Sequence, residues 1–327
     1  MKQTTAIRLF LVGLPIGLVL TTAVSMVWHF NKPKEDGAPK VYTTLADEIS
    51  AQAVSSYVSN LSKVIGERHS SKPGTLDRTA NYLESTLGTR NLGYDVKRQV
   101  YDVGGQPARN LWVEIPGGKR LNEVVVVVAH YDAPLGSRGE NNNASGVAAL
   151  LAMAENFARE KPILSMRLAF LTHSTAPHLN TNDSGSARYA QLLERRGEQI
   201  RTVFCLDGIG AFPATGLTTT ALTEPFLPNK GPFLSLLANR SSASVLALSF
   251  DCLAPLLRFT CHQAVVPENS QSFLDESTAG AFQSAGFPTL LIRGSGRLGK
   301  DELAVDTTTL AETTRAISTL IRVLANP

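Results

Sequence analysis

A histidine and an aspartate two positions apart, His130 and Asp132, stand at the end of an uninterrupted apolar stretch. Five consecutive valines at 124–128 precede them and are typical of a strand buried on both faces of an α/β sheet. Ligands of open α/β sheets bind beyond the carboxyl ends of the strands, so a site is expected here. An imidazole suits zinc, and a nearby carboxylate can orient it. The alternative is a polar strand end without a metal.

Polar residues also follow two further strand-like runs. Residues 166–171 predict a second buried strand, and Ser174 and Thr175 come shortly after it. Residues 203–206 predict a third strand, which runs directly into Asp207. Strands that alternate with helices favour a sheet with a largely parallel centre, in which the carboxyl ends of neighbouring strands meet. We therefore expect the side chains that follow these strands to converge on one site.

A loop rich in asparagine connects the valine strand to the next helix. It reads Gly139-Glu140-Asn141-Asn142-Asn143-Ala144-Ser145-Gly146. Strand and loop together resemble the M28 family of zinc aminopeptidases, in which a strand ends in His-x-Asp and a Gly-x-x-Asp-Asn-x-Ser-Gly loop opens a helix. The resemblance extends over about residues 46–326 and is strongest at 124–150 and 166–189. It implies that His130 is the first zinc ligand and that Asp132 orients it.

The resemblance also reveals departures from the family's ligands. Counted back from the Ser-Gly pair that opens the helix, the metal-bridging aspartate of the family falls on Asn142. In the family, the peptide bond after this residue is often cis. The general-base glutamate falls on Ser174, and the neighbouring zinc-ligand glutamate falls on Thr175. Two acidic ligands and the base are thus replaced by neutral residues.

Two further positions complete the family's set of ligands. Asp207 matches the acidic ligand in the family's Leu-Asp/Glu-x-x-Gly pattern, although a capping or turn carboxylate is the alternative. The pair at 306–307 matches the end of the motif that carries the family's last histidine, and this register places Glu302 at the histidine. A carboxylate therefore stands where the resemblance implies an imidazole.

The chemistry of a two-zinc aminopeptidase depends on anionic ligands. Its two ions lie about 3.5–4 Å apart and repel by roughly 20 kcal/mol even at an effective dielectric of ~20. Asn142 and Thr175 are neutral, and the hydroxyl of Ser174 is no base near neutral pH. We therefore predict an M28-like domain that has lost zinc aminopeptidase activity and serves in binding or assembly. We expect no cofactor, or zinc if any metal site survives.

The alternative function is an active metallo-aminopeptidase or amide hydrolase with one metal or substituted ligands. Glu302, Asp183 or Glu140 would then supply the missing carboxylates. A serine hydrolase that pairs Ser174 with His173 is disfavoured, because adjacent residues at a strand end usually point apart. No Gly-x-Ser-x-Gly turn surrounds the serine either.

The order of the predicted elements indicates the fold class. The periodicity predicts these additional elements: helices at 45–65, 76–87, 146–159 and 307–324, and strands at 94–103, 110–114 and 289–292. From about residue 228 the pattern is less regular. We predict an α/β domain over residues 41–327, a three-layer α/β/α sandwich whose mixed sheet is parallel at its centre.

The first 30 residues depart from this globular pattern. Residues 9–28 carry no charge and are long enough, at about 20 residues, to span the hydrocarbon core of a bilayer. A cleaved signal peptide is the alternative, although its apolar region is normally shorter, at about 7–15 residues. We predict a single-pass signal anchor at 1–30, preceding the α/β domain, and a polar linker at 31–40. The domain is expected outside the cytoplasm.

Composition narrows the classes of partner. The net charge of +3 is small and the basic residues are scattered, which argues against nucleic-acid binding. The expected partners are the membrane, through residues 9–28, and a peptide or protein. The 3 cysteines do not form a disulfide framework, although Cys252 and Cys261 could pair in an oxidising compartment.

Overall fold

The computed structural model describes most of the predicted α/β domain. The described residues are 49–72, 74–213, 226–228, 231–270, 272–298 and 303–327. The predicted anchor at 1–30, the linker at 31–40 and Glu302 lie outside them. In the part of the chain that is described, every helix is too short or too polar to cross a membrane.

The strands of the described part pair into one sheet of eight. They are β1 (Lys97–Val103), β2 (Gln106–Ile115), β3 (Arg120–His130), β4 (Leu164–Leu171), β5 (Gln199–Asp207), β6 (Phe233–Ala238), β7 (Thr260–Val265) and β8 (Thr289–Gly294). Their order across the sheet is β1-β2-β4-β3-β5-β8-β6-β7. The four central strands run parallel, whereas β2 and β6 pair antiparallel with β4 and β8. The predicted mixed sheet with a parallel centre is confirmed.

Helices cover both faces of this sheet. They are α1 (Ala51–Ser59), α2 (Thr75–Leu87), α3 (Ser145–Phe157), α4 (Gly185–Arg196), α5 (Ala243–Leu253), α6 (Ser272–Asp275), α7 (Thr278–Ser284) and α8 (Thr307–Ala325). Apolar residues of α1, α2, α3, α5 and α8 belong to one hydrophobic core. Those of α4, α6 and α7 belong to a second core.

The valine strand β3 contributes side chains to both cores. Val125 and Val127 belong to the first, whereas Val124, Val126 and Val128 belong to the second. Successive side chains of a strand point to opposite faces, so consecutive valines divide between the two cores. None of the five is more than 2% exposed, and a continuous apolar run is what such a strand requires.

Between β5 and β8 the chain is more regular than its sequence pattern indicates. The elements β6, α5 and β7 occupy this stretch, for which we predicted no strand before residue 289. The six residues of β6, FLSLLA, are buried along their whole length. A short apolar run of this kind cannot be assigned to strand or helix by periodicity alone. Pairing with β7 and β8 selects the strand.

The cysteines are present as free thiols. Cys205 is buried in β5, and Cys252 and Cys261 are half-buried. Burial raises the pKa of all three thiols, that of Cys261 to about 12. The disulfide considered from the sequence is therefore not formed in this structure.

Parallel pairing aligns the carboxyl ends of the central strands. His130, the last residue of β3, lies in register with Leu171, the last residue of β4. Asp207, the last residue of β5, lies in register with Arg293 of β8. The strand ends therefore share one edge of the sheet, and this edge positions the candidate site.

Candidate functional site

His130 is held at the end of β3 by the residue two positions further on. Its Nδ1 lies 3.0 Å from the backbone oxygen of Asp132 and 3.3 Å from Oδ1 of the same residue. In a neutral imidazole, these two contacts place the proton on Nδ1 and leave the lone pair on Nε2. A histidine oriented in this way by a carboxylate is typical of metal sites. The structure brings these two predicted residues together.

The carboxylate of Asp132 also binds the loop after β4. Its Oδ2 accepts hydrogen bonds from the backbone N–H of Ser174 at 2.8 Å and from that of Thr175 at 2.9 Å. The hydroxyl of Thr175 donates to the same oxygen at 2.8 Å. Burial by itself raises the pKa of Asp132, but His130 and the hydrogen bond from Thr175 outweigh burial and hold the pKa below its usual value. This carboxylate joins the ends of β3 and β4.

Ser174 and Thr175 both use their hydroxyls inside the protein. Oγ of Ser174 donates to the backbone oxygen of Thr172 at 3.3 Å, and Oγ1 of Thr175 donates to Asp132. Neither hydroxyl is a base near neutral pH, and a neutral hydroxyl is a poor zinc ligand. These two positions therefore supply neither negative charge nor a proton acceptor.

Asn143 holds the loop before α3 against the end of β5. Its Nδ2 donates to the backbone oxygen of Leu206 at 2.7 Å, and its Oδ1 accepts from the N–H of Gly208 at 3.1 Å. A Cβ at Gly146 would lie 2.6 Å from the same Oδ1, so this close approach requires glycine. The two hydrogen bonds flank Asp207, so the loop and the predicted acidic ligand lie together.

Asn142, at the position of the family's bridging aspartate, is half-buried. Its Oδ1 is buried and has no hydrogen-bond partner among the described residues. The peptide bond between Asn142 and Asn143 is cis, as the resemblance implies. A neutral amide oxygen carries no charge that could hold two dications at close range.

The carboxylate of Asp207 is paired with a cation from the neighbouring strand. Nη2 and Nε of Arg293 lie 2.7 and 3.0 Å from Oδ2 of Asp207. Both side chains are nearly inaccessible, with 7% exposure each. The residue predicted as an acidic metal ligand is thus engaged by a guanidinium.

A second arginine, Arg68, organises the loop that follows β3. Its Nε donates to the backbone oxygen of Tyr131 at 2.9 Å, and Nη2 donates to that of Gly139 at 2.9 Å. Nη1 donates to Arg138 at 2.7 Å and to Leu61 at 2.9 Å, in both cases at the backbone oxygen. Arg68 is fully buried and ties the segment after α1 to the loop.

The carboxylates considered as substitute ligands have other contacts. Oε1 of Glu140 accepts a hydrogen bond from the N–H of Val305 at 3.1 Å. Asp183 forms an ion pair with Arg188 at 2.9 Å, and its side chain is 46% exposed. Glu302 belongs to the part of the chain that the structure does not describe. The described carboxylates therefore give no support to a substituted metal site.

A serine-hydrolase arrangement is not formed either. No hydrogen bond joins Ser174 to His173 within the described residues, and Ser174 donates to a backbone oxygen instead. The ring of His173 packs edge-on against His178, with the ring centroids 4.7 Å apart. Burial lowers the pKa of His173.

The described residues do not fit a two-zinc centre. His130 offers one imidazole nitrogen, Asn142 offers a neutral oxygen, and Asp207 is ion-paired. Within the described ranges, no group of three or more His, Cys, Asp or Glu side chains is placed to hold a metal ion. Several anionic ligands are needed to keep two dications close together, so we derive no catalytic step through zinc.

Arg293 and Arg68 were not predicted as site residues. A signal for Arg293 is nevertheless present, because it is the single charged residue of the buried strand β8, TLLIRG. Charged side chains are almost never fully buried unless they are paired. An arginine in a buried strand therefore indicates a buried anion, but it does not say which one.

We predict that Asp132→Asn lowers the free energy of unfolding by about 1–3 kcal/mol at pH 7, because a buried hydrogen-bonded charge is lost. The pKa of Asp132 in the folded protein lies below its usual value, which is about 3.9 in an unfolded chain. The wild type's advantage is therefore complete above about pH 4 and lost as the pH falls through the folded pKa. Urea unfolding of the wild type and of Asp132→Asn across this pH range measures the difference in their free energies of unfolding.

The matched control for this experiment is Asp95→Asn, since the Asp95 side chain is 78% exposed. We expect it to change the free energy of unfolding by less than about 0.5 kcal/mol. A loss of stability in Asp132→Asn that stays constant down to the lowest pH would contradict a structural role for the carboxylate charge.

Sequence comparisons identify a family for this part of the chain. The model of peptidase family M28 matches residues 110–296, more than half of the chain. The uncharacterized protein YfbL of Escherichia coli K12 is 25% identical over 198 residues, which are 52% of this chain. The match spans 60% of the length of YfbL.

Solved structures show the same fold. BSAP, a zinc aminopeptidase from Bacillus subtilis, aligns with a TM-score of 0.65 at 13% identity and covers 85% of this chain and 96% of its own. Glutaminyl cyclase from Bacteroides thetaiotaomicron gives 0.61 at 17% identity and covers 84% and 98%. LapA aminopeptidase from Legionella pneumophila gives 0.62 at 14% identity and covers 86% and 73%. The family model matches the strands that carry the site, and the chain therefore belongs to peptidase family M28.

Proposed function

We propose that this M28-family chain has lost zinc aminopeptidase activity and acts by binding a peptide or protein partner. Ser174 stands where the resemblance places the general-base glutamate, and its hydroxyl donates to a backbone oxygen. Loss of a general base alone lowers the rate of such a reaction by about 10²–10⁴-fold.

The charges at the metal positions support the same proposal. Asn142 and Thr175 are neutral, and Asp207 is paired with Arg293 at 2.7 Å. Two zinc ions placed among these side chains would repel each other with little compensation. Zinc is implied by the resemblance and by the aminopeptidase neighbours, but these residues do not favour it as a cofactor of this chain.

A binding role is supported by the way in which the loops are held. Asp132 fixes the loop after β4, Asn143 fixes the loop before α3, and Arg68 fixes the loop after β3. All these contacts are internal hydrogen bonds, so the loops keep their conformation without a metal ion. Loops that are ordered before association lose less entropy when a partner binds.

We predict that the purified full-length protein does not hydrolyse aminoacyl amides above the buffer rate, with or without added zinc. The missing base and the neutral ligand positions give the physical reason. The measurement is a chromogenic assay over a set of aminoacyl p-nitroanilides. The Bacillus subtilis zinc aminopeptidase assayed in parallel shows that the substrates and the zinc supply are adequate.

The informative contrary result is zinc-dependent turnover that a chelator abolishes and fresh zinc restores. That outcome would establish the alternative function, an active metallo-aminopeptidase or amide hydrolase with substituted ligands. Turnover that survives the chelator and disappears on further purification would instead indicate a contaminating peptidase.

We also propose that residues 9–28 anchor the protein in a membrane, with the α/β domain outside the cytoplasm. The support is the sequence alone: the stretch carries no charge, and about 20 apolar residues can cross the hydrocarbon core. A polar linker at 31–40 would separate the anchor from the domain.

We predict that the full-length protein stays in the membrane pellet after carbonate extraction, because an apolar span is not released at high pH. A variant that lacks residues 1–40 serves as the control and should appear in the supernatant. Release of the full-length product, with a mature N-terminus near Met26, would show a cleaved signal peptide and refute the anchor.

A further inference from the structure

The pair formed by Asp207 and Arg293 is built into the register of the sheet. The two residues lie opposite each other on the parallel strands β5 and β8. Two nitrogens of the guanidinium, Nη2 and Nε, donate to the same carboxylate oxygen, Oδ2, at 2.7 and 3.0 Å. The exposure of each side chain is 7%, so water does little to screen their attraction.

Further contacts fix the arginine in this place. Its guanidinium carbon lies 4.9 Å from the centre of the Phe273 ring, within the range of a cation–π interaction. Its backbone oxygen accepts a hydrogen bond from the hydroxyl of Ser235 at 2.9 Å. An arginine side chain does not lose its proton in proteins, so the positive charge is permanent.

The charges of the residues at the metal positions favour a cation that the chain itself supplies. The family arrangement balances two dications with several carboxylates. Here Asn142 and Thr175 are neutral, which leaves Asp207 as the anion among the described metal positions. The guanidinium compensates the charge of this carboxylate, whereas an added dication beside Arg293 would meet a like charge at close range.

We propose that the guanidinium of Arg293 takes the place of a divalent cation at Asp207. It is a cation supplied by the chain itself, which keeps the carboxylate compensated and the end of β5 ordered without metal. Because it concerns the same site, the inference rests on the proposed loss of zinc chemistry. It adds that removal of the arginine charge raises the affinity of the Asp207 carboxylate for a divalent cation.

The test compares Co²⁺ binding by the full-length wild type and by Arg293→Met, both freed of metal beforehand. Co²⁺ reports its ligands through visible absorption, so the reading does not depend on activity. We expect Arg293→Met to bind Co²⁺ at least ~100-fold more tightly than the wild type. We also expect it to unfold at a lower temperature in chelator, and Co²⁺ to raise its Tm while leaving that of the wild type unchanged.

Two further variants separate charge from structure. Arg293→Lys retains a cation and should respond to Co²⁺ as the wild type does. The double variant Asp207→Asn with Arg293→Met removes both charges and should neither bind Co²⁺ nor gain stability from it. If Arg293→Met fails to fold in chelator, refolding with Co²⁺ against refolding without it provides the same reading.

Two results would overturn the inference. The first is tight Co²⁺ binding by the wild type that Asp207→Asn abolishes, because the carboxylate would then be free for metal. The second is an Arg293→Met protein whose response to Co²⁺ equals that of the double variant. Neither result depends on turnover. If the wild type hydrolyses substrates but binds no Co²⁺ at Asp207, the proposed function is refuted and this inference stands.

Discussion

Two carboxylates are buried at the ends of neighbouring parallel strands, and the rest of the site compensates their charge. A buried carboxylate is unfavourable unless opposite charge or hydrogen-bond donors surround it. Asp132 receives two backbone N–H groups and the Thr175 hydroxyl, with His130 beside it. Asp207 receives the guanidinium of Arg293. In each case the described compensation comes from within the chain.

The fold and the chemistry of this family depend on different residues, so the fold does not require the chemistry. The sheet is stabilised by apolar strands such as β3, whose valines are buried against helices on both faces. None of the positions at issue, Asn142, Ser174 and Thr175, contributes to those cores. Their replacement therefore changes the charge and the proton acceptors of the site while the strands and their pairing remain.

The sequence allowed the strand frame to be predicted because its signals are local. The valine run, the His-x-Asp end of β3 and the asparagine loop are contiguous, and the resemblance to a family gave the register for Ser174 and Asp207. The partner of Asp207 could not be predicted in this way, because Arg293 lies 86 positions away and meets it only through the pairing of β5 with β8. The strand β6 was missed because a short apolar run does not identify its own secondary structure.

We propose that this M28-family site is arranged to do without zinc. The most direct measurement is the metal content of the full-length protein, purified without chelator from cells grown with ample zinc and analysed by elemental mass spectrometry. We expect zinc far below one equivalent per chain, with no other transition metal in its place. One or two equivalents of zinc that remain bound through exhaustive dialysis, and that are lost on Asp207→Asn, would contradict it.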